Sequence, residues 1–178
     1  GESIAAVVRT PLEIDANGAV SGRPEPVIFG ARADVLIAPA GDSLVAVDLR
    51  GIERTAEPAM DMTRELAWIE LDHAPAAVVG DAEAVAAHLD RGAIYHSAEM
   101  LGGAETVMQL AVDYAKEREQ FGRPIGSFQA VKHLCVDMLL EAQSAVSAAR
   151  HVAAAFDAAE PDRCADLALA QAYCSDAY

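Results

Sequence analysis

Apolar residues in the first 80 positions come in short runs separated by turn-forming residues. Between the runs lie Asn17-Gly18, Gly41-Asp42, Gly51 and Pro58. Short apolar runs at this spacing are typical of strands in an antiparallel β domain. We therefore predict a small sandwich or barrel in this part of the chain. Its strands are expected at Ile4–Val8, Val27–Phe29, Val35–Ala38, Leu44–Val47 and Leu66–Leu71.

From Asp81 onward, apolar residues recur at intervals of three and four, which is the period of an amphipathic helix. Asp81 is expected to cap a first helix, and a second helix is expected from about Ile94 to Lys116. A longer helix should follow with Ser127 as its cap, and a third pattern begins at Arg163. Long helices joined by short turns pack as a bundle.

The two halves together give the predicted fold class. It is α+β, with a small antiparallel β domain at residues 1–80 and an antiparallel helical bundle at residues 81–178. Gly102-Gly103 interrupts a helical pattern at a cost of roughly 1 kcal/mol per glycine. Close packing against a neighbouring helix is therefore expected at this pair.

The charge balance narrows the function classes. The chain has 28 acidic and 13 basic residues, a formal net charge of −15, and both halves share the excess. Nucleic-acid binding needs a basic stripe, so no nucleic-acid partner is expected. No apolar run approaches the roughly 20 residues of a membrane span, and residues 1–8 have neither a basic segment nor a cleavage site. We expect a soluble, cytoplasmic protein without a membrane span.

Several side chains that often carry chemistry are assigned to packing. Cys135, Cys164 and Cys174 have no CxxC pairing and are interpreted as buried thiols. The histidines fall on different predicted elements without ligand spacing, so no metal site is predicted. Trp68 lies within an apolar run and is interpreted as a core residue.

The turn between the two long helices concentrates positive charge. Lys116, Arg118 and Arg123 are three of the seven basic residues after position 80, and Phe121 and Phe128 lie beside them. Cations, free backbone N–H groups and an aromatic face are what a pyrophosphate joined to a flat heterocycle needs. The alternative is a solvated helix end, whose basic residues favour the helix dipole and are neutralised by the neighbouring glutamates.

The same segment carries a family resemblance. The run YAKEREQFGRPIGSFQ, from Tyr114 to Gln129, resembles the signature turn between two helices of acyl-CoA dehydrogenases. Ala33-Asp34 and the stretch Asp61–Arg64 also resemble the middle β domain of that family. The resemblance covers the middle domain and part of the C-terminal helical domain, and it implies that the N-terminal helical domain and the last helices are missing.

The resemblance also implies a cofactor and an assembly. In the family this turn reaches the FAD of a neighbouring subunit. Arg118 would pair with the FAD pyrophosphate, Gln120 would add a hydrogen bond, Phe121 would pack against the cofactor, and Gln129 would belong to the same lining. A dimer or a dimer of dimers is implied, as a homo- or hetero-tetramer.

Two features depart from the family pattern. A Trp-Ile-Thr or Trp-Ile-Ser run that contacts the flavin is replaced by Pro26-Val27-Ile28. The family's glutamate base is expected beyond residue 178, and its alternative position, in the stretch Arg91–Ala98, holds no carboxylate. No catalytic residue is therefore assigned within this chain, and His96 and Tyr95 are interpreted as packing residues.

The function implied by the resemblance is FAD-dependent oxidation of an acyl-CoA thioester to the trans-2-enoyl-CoA, as in lipid metabolism and fatty acid β-oxidation. An electron-transfer flavoprotein would be the electron acceptor. These residues alone are expected to be inactive. The alternative is a non-catalytic partner subunit of a hetero-oligomeric dehydrogenase, which donates its signature turn to another chain. Flavoproteins of the same fold that oxidise nitroalkanes or hydroxylate aromatics form a third possibility.

Overall fold

The structure is a computed structural model that describes residues 3–178. Gly1 and Glu2, part of the N-terminal stretch discussed above, lie outside the described residues. The chain divides into two compact units, of which the first ends at Leu89 and the second runs from Asp90 to Tyr178. The change from strands to helices falls between Gly80 and Ala82, so the domain boundary at residues 80 and 81 stays a prediction.

The first unit is built from two sheets. One has six strands in the order β1-β5-β6-β9-β3-β2, and the other has three in the order β4-β8-β7. The strands are β1 Ala5–Val7, β2 Glu13–Ile14, β3 Ala19–Gly22, β4 Val27–Ile28, β5 Val35–Ala40, β6 Ser43–Asp48, β7 Arg54–Glu57, β8 Leu66–Ile69 and β9 Leu71–Gly80. All the predicted apolar runs contain strands, but four strands were not predicted. β2, β3 and β7 are too polar or too short to show as runs, and the ten-residue β9 meets the predicted runs only at Leu71.

The two sheets share one hydrophobic core. Val20, Leu36 and Val47 from the larger sheet are fully buried, and Val27 and Ile69 from the smaller sheet belong to the same cluster. Burial of apolar area on this scale is the main stabilising term for a small β domain. Two sheets facing each other across a shared core form the sandwich that was one of the two expected architectures.

One strand pair differs from the predicted antiparallel arrangement. β1 runs parallel to β5, with Ala6 opposite Leu36, and all the other pairs among the named strands are antiparallel. A parallel pair needs a long connection, and nearly 30 residues separate β1 from β5. Both Ala6 and Leu36 are buried, so this register places apolar side chains in the core.

The Asn17-Gly18 turn joins β2 to β3. Gly18 has a φ of 82°, the left-handed conformation for which glycine is favoured. The Asp15 carboxylate accepts hydrogen bonds from the backbone N–H groups of Ala19 at 3.0 Å and Asn17 at 2.8 Å. These bonds, together with the nearby His73, lower the pKa of Asp15. The predicted turn is confirmed and is reinforced by a carboxylate two residues before it.

Trp68 is not a core residue, so its assignment from sequence is wrong. Its strand neighbours Ala67 and Ile69 are fully buried, whereas Trp68 is half-buried on the opposite face of β8. Its indole N–H donates to Glu57 at 2.6 Å, and the Arg23 guanidinium lies 4.1 Å from the ring centroid. Period-two alternation places Trp68 outside, where Glu57 of β7 and Arg23, the residue after β3, are its polar partners.

The helical part begins with one continuous helix, α1, from Ala82 to Glu117. Asp81 caps it, because its carboxylate accepts a hydrogen bond from the Ala84 N–H at 3.1 Å. The expected break before Ile94 is absent. A single glycine, Gly92, costs only about 1 kcal/mol in a helix and does not end it. Within residues 3–178 no helix is long and apolar enough to cross a membrane.

Two further helices complete the bundle, α2 from Gln129 to Asp157 and α3 from Arg163 to Ala177. Ala93 near the start of α1 shares a core cluster with Val152 near the end of α2, so these helices are antiparallel. Leu167 near the start of α3 lies in that cluster, and the Cys174 thiol is 3.8 Å from the Ala145 carbonyl oxygen. α3 therefore runs antiparallel to α2.

Two local expectations for the helices have different outcomes. Ser127 lies in a short 3-10 turn, Ile125–Ser127, and α2 follows Phe128 without a side-chain cap, so Ser127 is not the cap. The close packing expected at the glycine pair is confirmed only for Gly103. A Cβ there would lie 2.5 Å from the Tyr178 ring, whereas one at Gly102 would meet nothing within 4 Å.

The cysteines differ in exposure. Cys174 is buried, and burial raises the pKa of its thiol. Cys135 is half-buried and Cys164 is exposed, so the expectation of three buried thiols is correct for one. Cys164 is at the start of α3, and its Sγ is 3.9 Å from the carboxylate of Asp90 in α1.

Val45 and Val78 provide a matched test of the sandwich core. They are cross-strand partners in β6 and β9, yet Val45 is fully buried and Val78 is 63% exposed. We expect Val45→Ala to lower the free energy of unfolding by about 2 kcal/mol, because it removes buried methyl groups and leaves a cavity. Val78→Ala should cost less than about 0.5 kcal/mol. Urea denaturation measures both, and equal losses would contradict the assigned core.

Candidate functional site

The segment Arg118–Gln129, here called the signature hairpin, joins α1 to α2. Its two strands are β10, Glu119–Gln120, and β11, Arg123–Pro124, which pair antiparallel. The Ile125 N–H donates to the Arg118 carbonyl at 2.7 Å and closes the hairpin, and the Arg118 N–H donates to the last turn of α1. The hairpin is therefore tied at its base to a helix end.

The tip of the hairpin is a two-residue turn, Phe121-Gly122. Their φ angles are 55° and 77°, the two left-handed conformations of a type I′ turn, whose twist suits an antiparallel pair. A left-handed conformation is unfavourable for a bulky residue such as Phe121. Strain of this kind is found where a side chain has to be presented in a particular direction.

The ring of Phe121 is 92% exposed. Its contact with Phe128 is edge-on, with ring centroids 6.2 Å apart and an interplanar angle of 86°. The Phe128 ring is itself covered by the Arg123 guanidinium, whose carbon lies 4.1 Å from the ring centroid. Arg123 and Phe128 thus support Phe121 from one side and leave its opposite side open to a flat apolar partner.

The three basic residues of the turn, Lys116, Arg118 and Arg123, differ in what their side chains contact. Lys116 pairs with Asp113 at 3.1 Å, and Arg123 stacks on Phe128. The exposed Arg118 guanidinium makes no ion pair or hydrogen bond within residues 3–178, so neither Glu117 nor Glu119 neutralises it there. Arg118 is thus a solvent-exposed cation at the end of α1, and the neutralisation by neighbouring glutamates that the alternative expected is absent within residues 3–178. Of the three, Arg118 has its guanidinium available for an anion.

Gln120 and Gln129 are both exposed and lie in the same hairpin. Gln120 stands opposite Arg123 in the β10–β11 register. Gln129 is the first residue of α2, and its Nε2 lies 2.8 Å from Nε2 of His133. The structure thus brings the predicted site residues into one short segment, and it adds a histidine that sequence reasoning did not single out.

Gly126 controls how the hairpin meets α1. A Cβ at this position would lie 2.8 Å from the Ala115 carbonyl oxygen and 3.2 Å from its carbon. Ala115 is itself buried. Only a residue without a side chain permits this approach, so Gly126 has a structural role that its place among other turn residues did not reveal.

The alternative position for a catalytic base offers no carboxylate on α1. Tyr95 in that stretch is 72% exposed, so its assignment to the core is wrong, and His96 is exposed as well. Across residues 3–178, no group of three or more His, Cys, Asp or Glu side chains is arranged to hold a metal ion.

In the first unit, Pro26-Val27-Ile28 includes strand β4. Val27 is buried and Ile28 is 39% exposed opposite Leu66 of β8. Trp68 lies two residues further along β8, beside a shallow depression of about 320 Å³ lined by Arg23, Glu53, Thr55, Trp68 and Glu70. β4 has no indole, whereas its neighbour β8 carries the indole of Trp68. Because Trp68 lies inside an apolar run, its partial exposure could not be predicted from the sequence.

Comparison with known proteins gives a consistent result. A family model described as "Acyl-CoA dehydrogenase, C-terminal domain" matches residues 82–178. The acyl-CoA dehydrogenase IpdE2 of Mycolicibacterium smegmatis is 41% identical over 150 residues, which are 80% of this chain and 45% of that protein. FadE34 of Mycobacterium tuberculosis is 43% identical over 138 residues, 76% of this chain and 19% of that protein. The chain spans less than half the length of these relatives.

Solved structures show the same fold. The structure titled Tcur3481-Tcur3483 steroid ACAD is 26% identical with a TM-score of 0.79, covering 97% of this chain and 47% of that one. The ChsE4-ChsE5 complex of Mycobacterium tuberculosis is 23% identical with a TM-score of 0.78, covering 99% and 49%. Butyryl-CoA dehydrogenase of Megasphaera elsdenii is 22% identical with a TM-score of 0.76, covering 98% and 55%.

The role of Gly126 can be tested against a second glycine. Gly126→Ala should lower the free energy of unfolding by about 1–3 kcal/mol, because the new methyl group collides with the backbone of α1. Gly102→Ala is the control, since a Cβ there meets nothing within 4 Å and alanine favours a helix by about 1 kcal/mol. Thermal and urea unfolding measure both changes. A neutral Gly126→Ala would show that the hairpin is not held against α1.

Proposed function

Because the chain belongs to the acyl-CoA dehydrogenase family, we propose that it forms part of an FAD-dependent enzyme that oxidises an acyl-CoA thioester to the trans-2-enoyl-CoA. The observation that carries the proposal is the signature hairpin, with the exposed aromatic ring of Phe121 and the Arg118 guanidinium, which has no partner among residues 3–178. Since the chain spans 45% of its IpdE2 relative, the activity proposed is that of the larger protein.

The residues of the hairpin fit FAD. A pyrophosphate needs a cation with several N–H donors, and Arg118 has such a group available. A flat ring system needs an apolar face, and the open side of Phe121 supplies one. The side-chain amides of Gln120 and Gln129 can donate and accept hydrogen bonds beside these two groups. We therefore propose that Arg118, Gln120, Phe121 and Gln129 contact the cofactor.

The shape of the hairpin supports a shared site. The four residues are exposed in one short segment at the junction of α1 and α2, which cannot enclose a ligand by itself: Arg118, Gln120, Phe121 and Gln129. A cofactor bound there would need a second surface, so we propose that the hairpin reaches a neighbouring subunit. A dimer or a dimer of dimers satisfies this requirement.

These assignments divide the reaction between the cofactor, the residues of this chain and a separate base. The chemistry that FAD supplies when bound is acceptance of a hydride from the acyl β-carbon. The residues of this chain would bind, orient and shield the cofactor from water. Removal of the α-proton needs a base, and the stretch Arg91–Ala98 of α1, the family's alternative position, holds no carboxylate. We propose that the base lies outside residues 3–178.

A second candidate function is supported by Pro26-Val27-Ile28, which offers neither an indole nor a hydroxyl on β4. In this alternative the chain is a non-catalytic partner subunit that donates its hairpin to the FAD of another chain. Two of the similar solved structures are named for two proteins each, Tcur3481-Tcur3483 and ChsE4-ChsE5. A hetero-tetramer is then the proposed assembly.

The substrate class and the electron acceptor are proposed on the same basis. Fatty, branched-chain and steroid side-chain thioesters are all candidates, and the steroid ACAD structure, at 26% identity, places steroid side-chain thioesters first for testing. An electron-transfer flavoprotein in the cytoplasm is the proposed acceptor. Both assignments place the protein in lipid metabolism.

Arg118 and Lys116 give a matched test of the cofactor site. In the full-length oligomer, Arg118→Ala should weaken FAD binding by about 10- to 100-fold, because a charge-assisted bond to the pyrophosphate is lost. Lys116→Ala should change it by less than about twofold, because this lysine is engaged by Asp113. Titration of the apoprotein by flavin fluorescence measures both. Equal effects, or none from Arg118→Ala, would remove the main support for the proposal.

The two candidate functions differ in where the flavin is found. The catalytic subunit should purify yellow, and the visible absorption band of its oxidised flavin should bleach anaerobically with one acyl-CoA thioester. The donor subunit should be colourless alone and yield a yellow complex when mixed with its partner. Absorption spectra of the full-length protein, with and without candidate partner subunits, separate the two. A protein that stays colourless in every combination would contradict both.

A further inference from the structure

Gln129 is held by a residue one helical turn further along α2. Its Nε2 lies 2.8 Å from Nε2 of His133, and residues four apart face each other on a helix. Both side chains are exposed, so the contact is not forced by crowding. It is a specific hydrogen bond at the start of the helix that follows the hairpin.

The two nitrogen atoms fix the direction of this bond. The nitrogen of a side-chain amide donates hydrogen bonds and does not accept them, so the ring nitrogen of His133 must accept. A ring nitrogen that accepts a hydrogen bond carries no proton, so this contact requires an unprotonated Nε2 on His133. Because the amide nitrogen of Gln129 is turned toward the ring, its oxygen Oε1 is directed away from His133.

We propose that His133 is a positioning residue for the cofactor site. By accepting from the amide nitrogen of Gln129, it presents the amide oxygen, an acceptor, to a hydroxyl or ring N–H donor of FAD. The inference rests on the proposed function of the hairpin. Without His133, the amide could turn over and offer its NH₂ group instead, and its free rotation would have to be lost on binding.

The experiment measures FAD affinity of the full-length oligomer by flavin fluorescence titration. His133→Leu, which removes the acceptor, should weaken binding by about fivefold, the value of one net hydrogen bond. His133→Gln places an acceptor oxygen near the position of Nε2 and should restore affinity to within about twofold of the unchanged protein. His151→Leu is the control, since His151 is another exposed histidine of α2 that pairs with Asp166 instead.

A double-mutant cycle shows whether His133 acts through Gln129. In a Gln129→Ala background, His133→Leu should have no further effect, because the group that it positions is gone. Additive losses would overturn the inference. So would equal losses for His133→Leu and His133→Gln, which indicate a role in packing.

A second measurement needs no cofactor. The ¹⁵N chemical shifts of the His133 imidazole in the apoprotein should show a proton on Nδ1 and an unprotonated Nε2. A proton on Nε2 would overturn the inference.

Arg118→Ala, measured in parallel by FAD titration, distinguishes failure of the proposed function from failure of the role of His133. If it leaves FAD affinity unchanged, the proposed function fails. If it weakens FAD binding while His133→Leu does not, only the role of His133 fails.

Discussion

The close approach of the hairpin to the end of α1 is the constraint on which the site depends. Gly126 passes so near the Ala115 carbonyl that no side chain fits between them, and the Ile125 N–H closes onto the Arg118 carbonyl. With both arms tied to a helix, the left-handed turn at Phe121 projects in one direction. Its exposed residues are therefore placed by a rigid element, which is what a shared binding site requires.

Neighbouring residues of similar chemistry have different roles around this hairpin. Arg123 folds back over Phe128 and supports Phe121, while Lys116 pairs with Asp113 on the solvent side of α1. Arg118, at the base of the hairpin, is left with a guanidinium that can bind an anion. A turn with three cations thus offers one of them to a ligand and uses the other two within the helix and hairpin.

Local patterns predicted the order of the elements and the segment that holds the candidate site. Apolar runs with turn residues between them marked five strand regions, and the three-and-four period marked the helices. Patterns failed where a residue's neighbours in the folded chain determine its exposure. Trp68 has the pattern of a core residue, yet it is half-buried and donates to Glu57 of β7. Tyr95 has the same pattern and is 72% exposed. Ser127 resembles a cap, but the chain forms a 3-10 turn there and α2 begins after Phe128.

The sequence by itself determined the class of fold, the family and the position of the hairpin, because these follow from periodicity and from a run of consecutive residues. Only the tertiary structure decided which cation is available, how the Gln129 amide is oriented and why Gly126 is a glycine. Each of these depends on atoms brought together by the backbone path: a ring beneath Arg123, an imidazole one turn along α2, and a carbonyl of α1 across the turn. Helical spacing of four brings Gln129 and His133 together, but the direction of the amide, the ring beneath Arg123 and the carbonyl opposite Gly126 are set by the folded backbone.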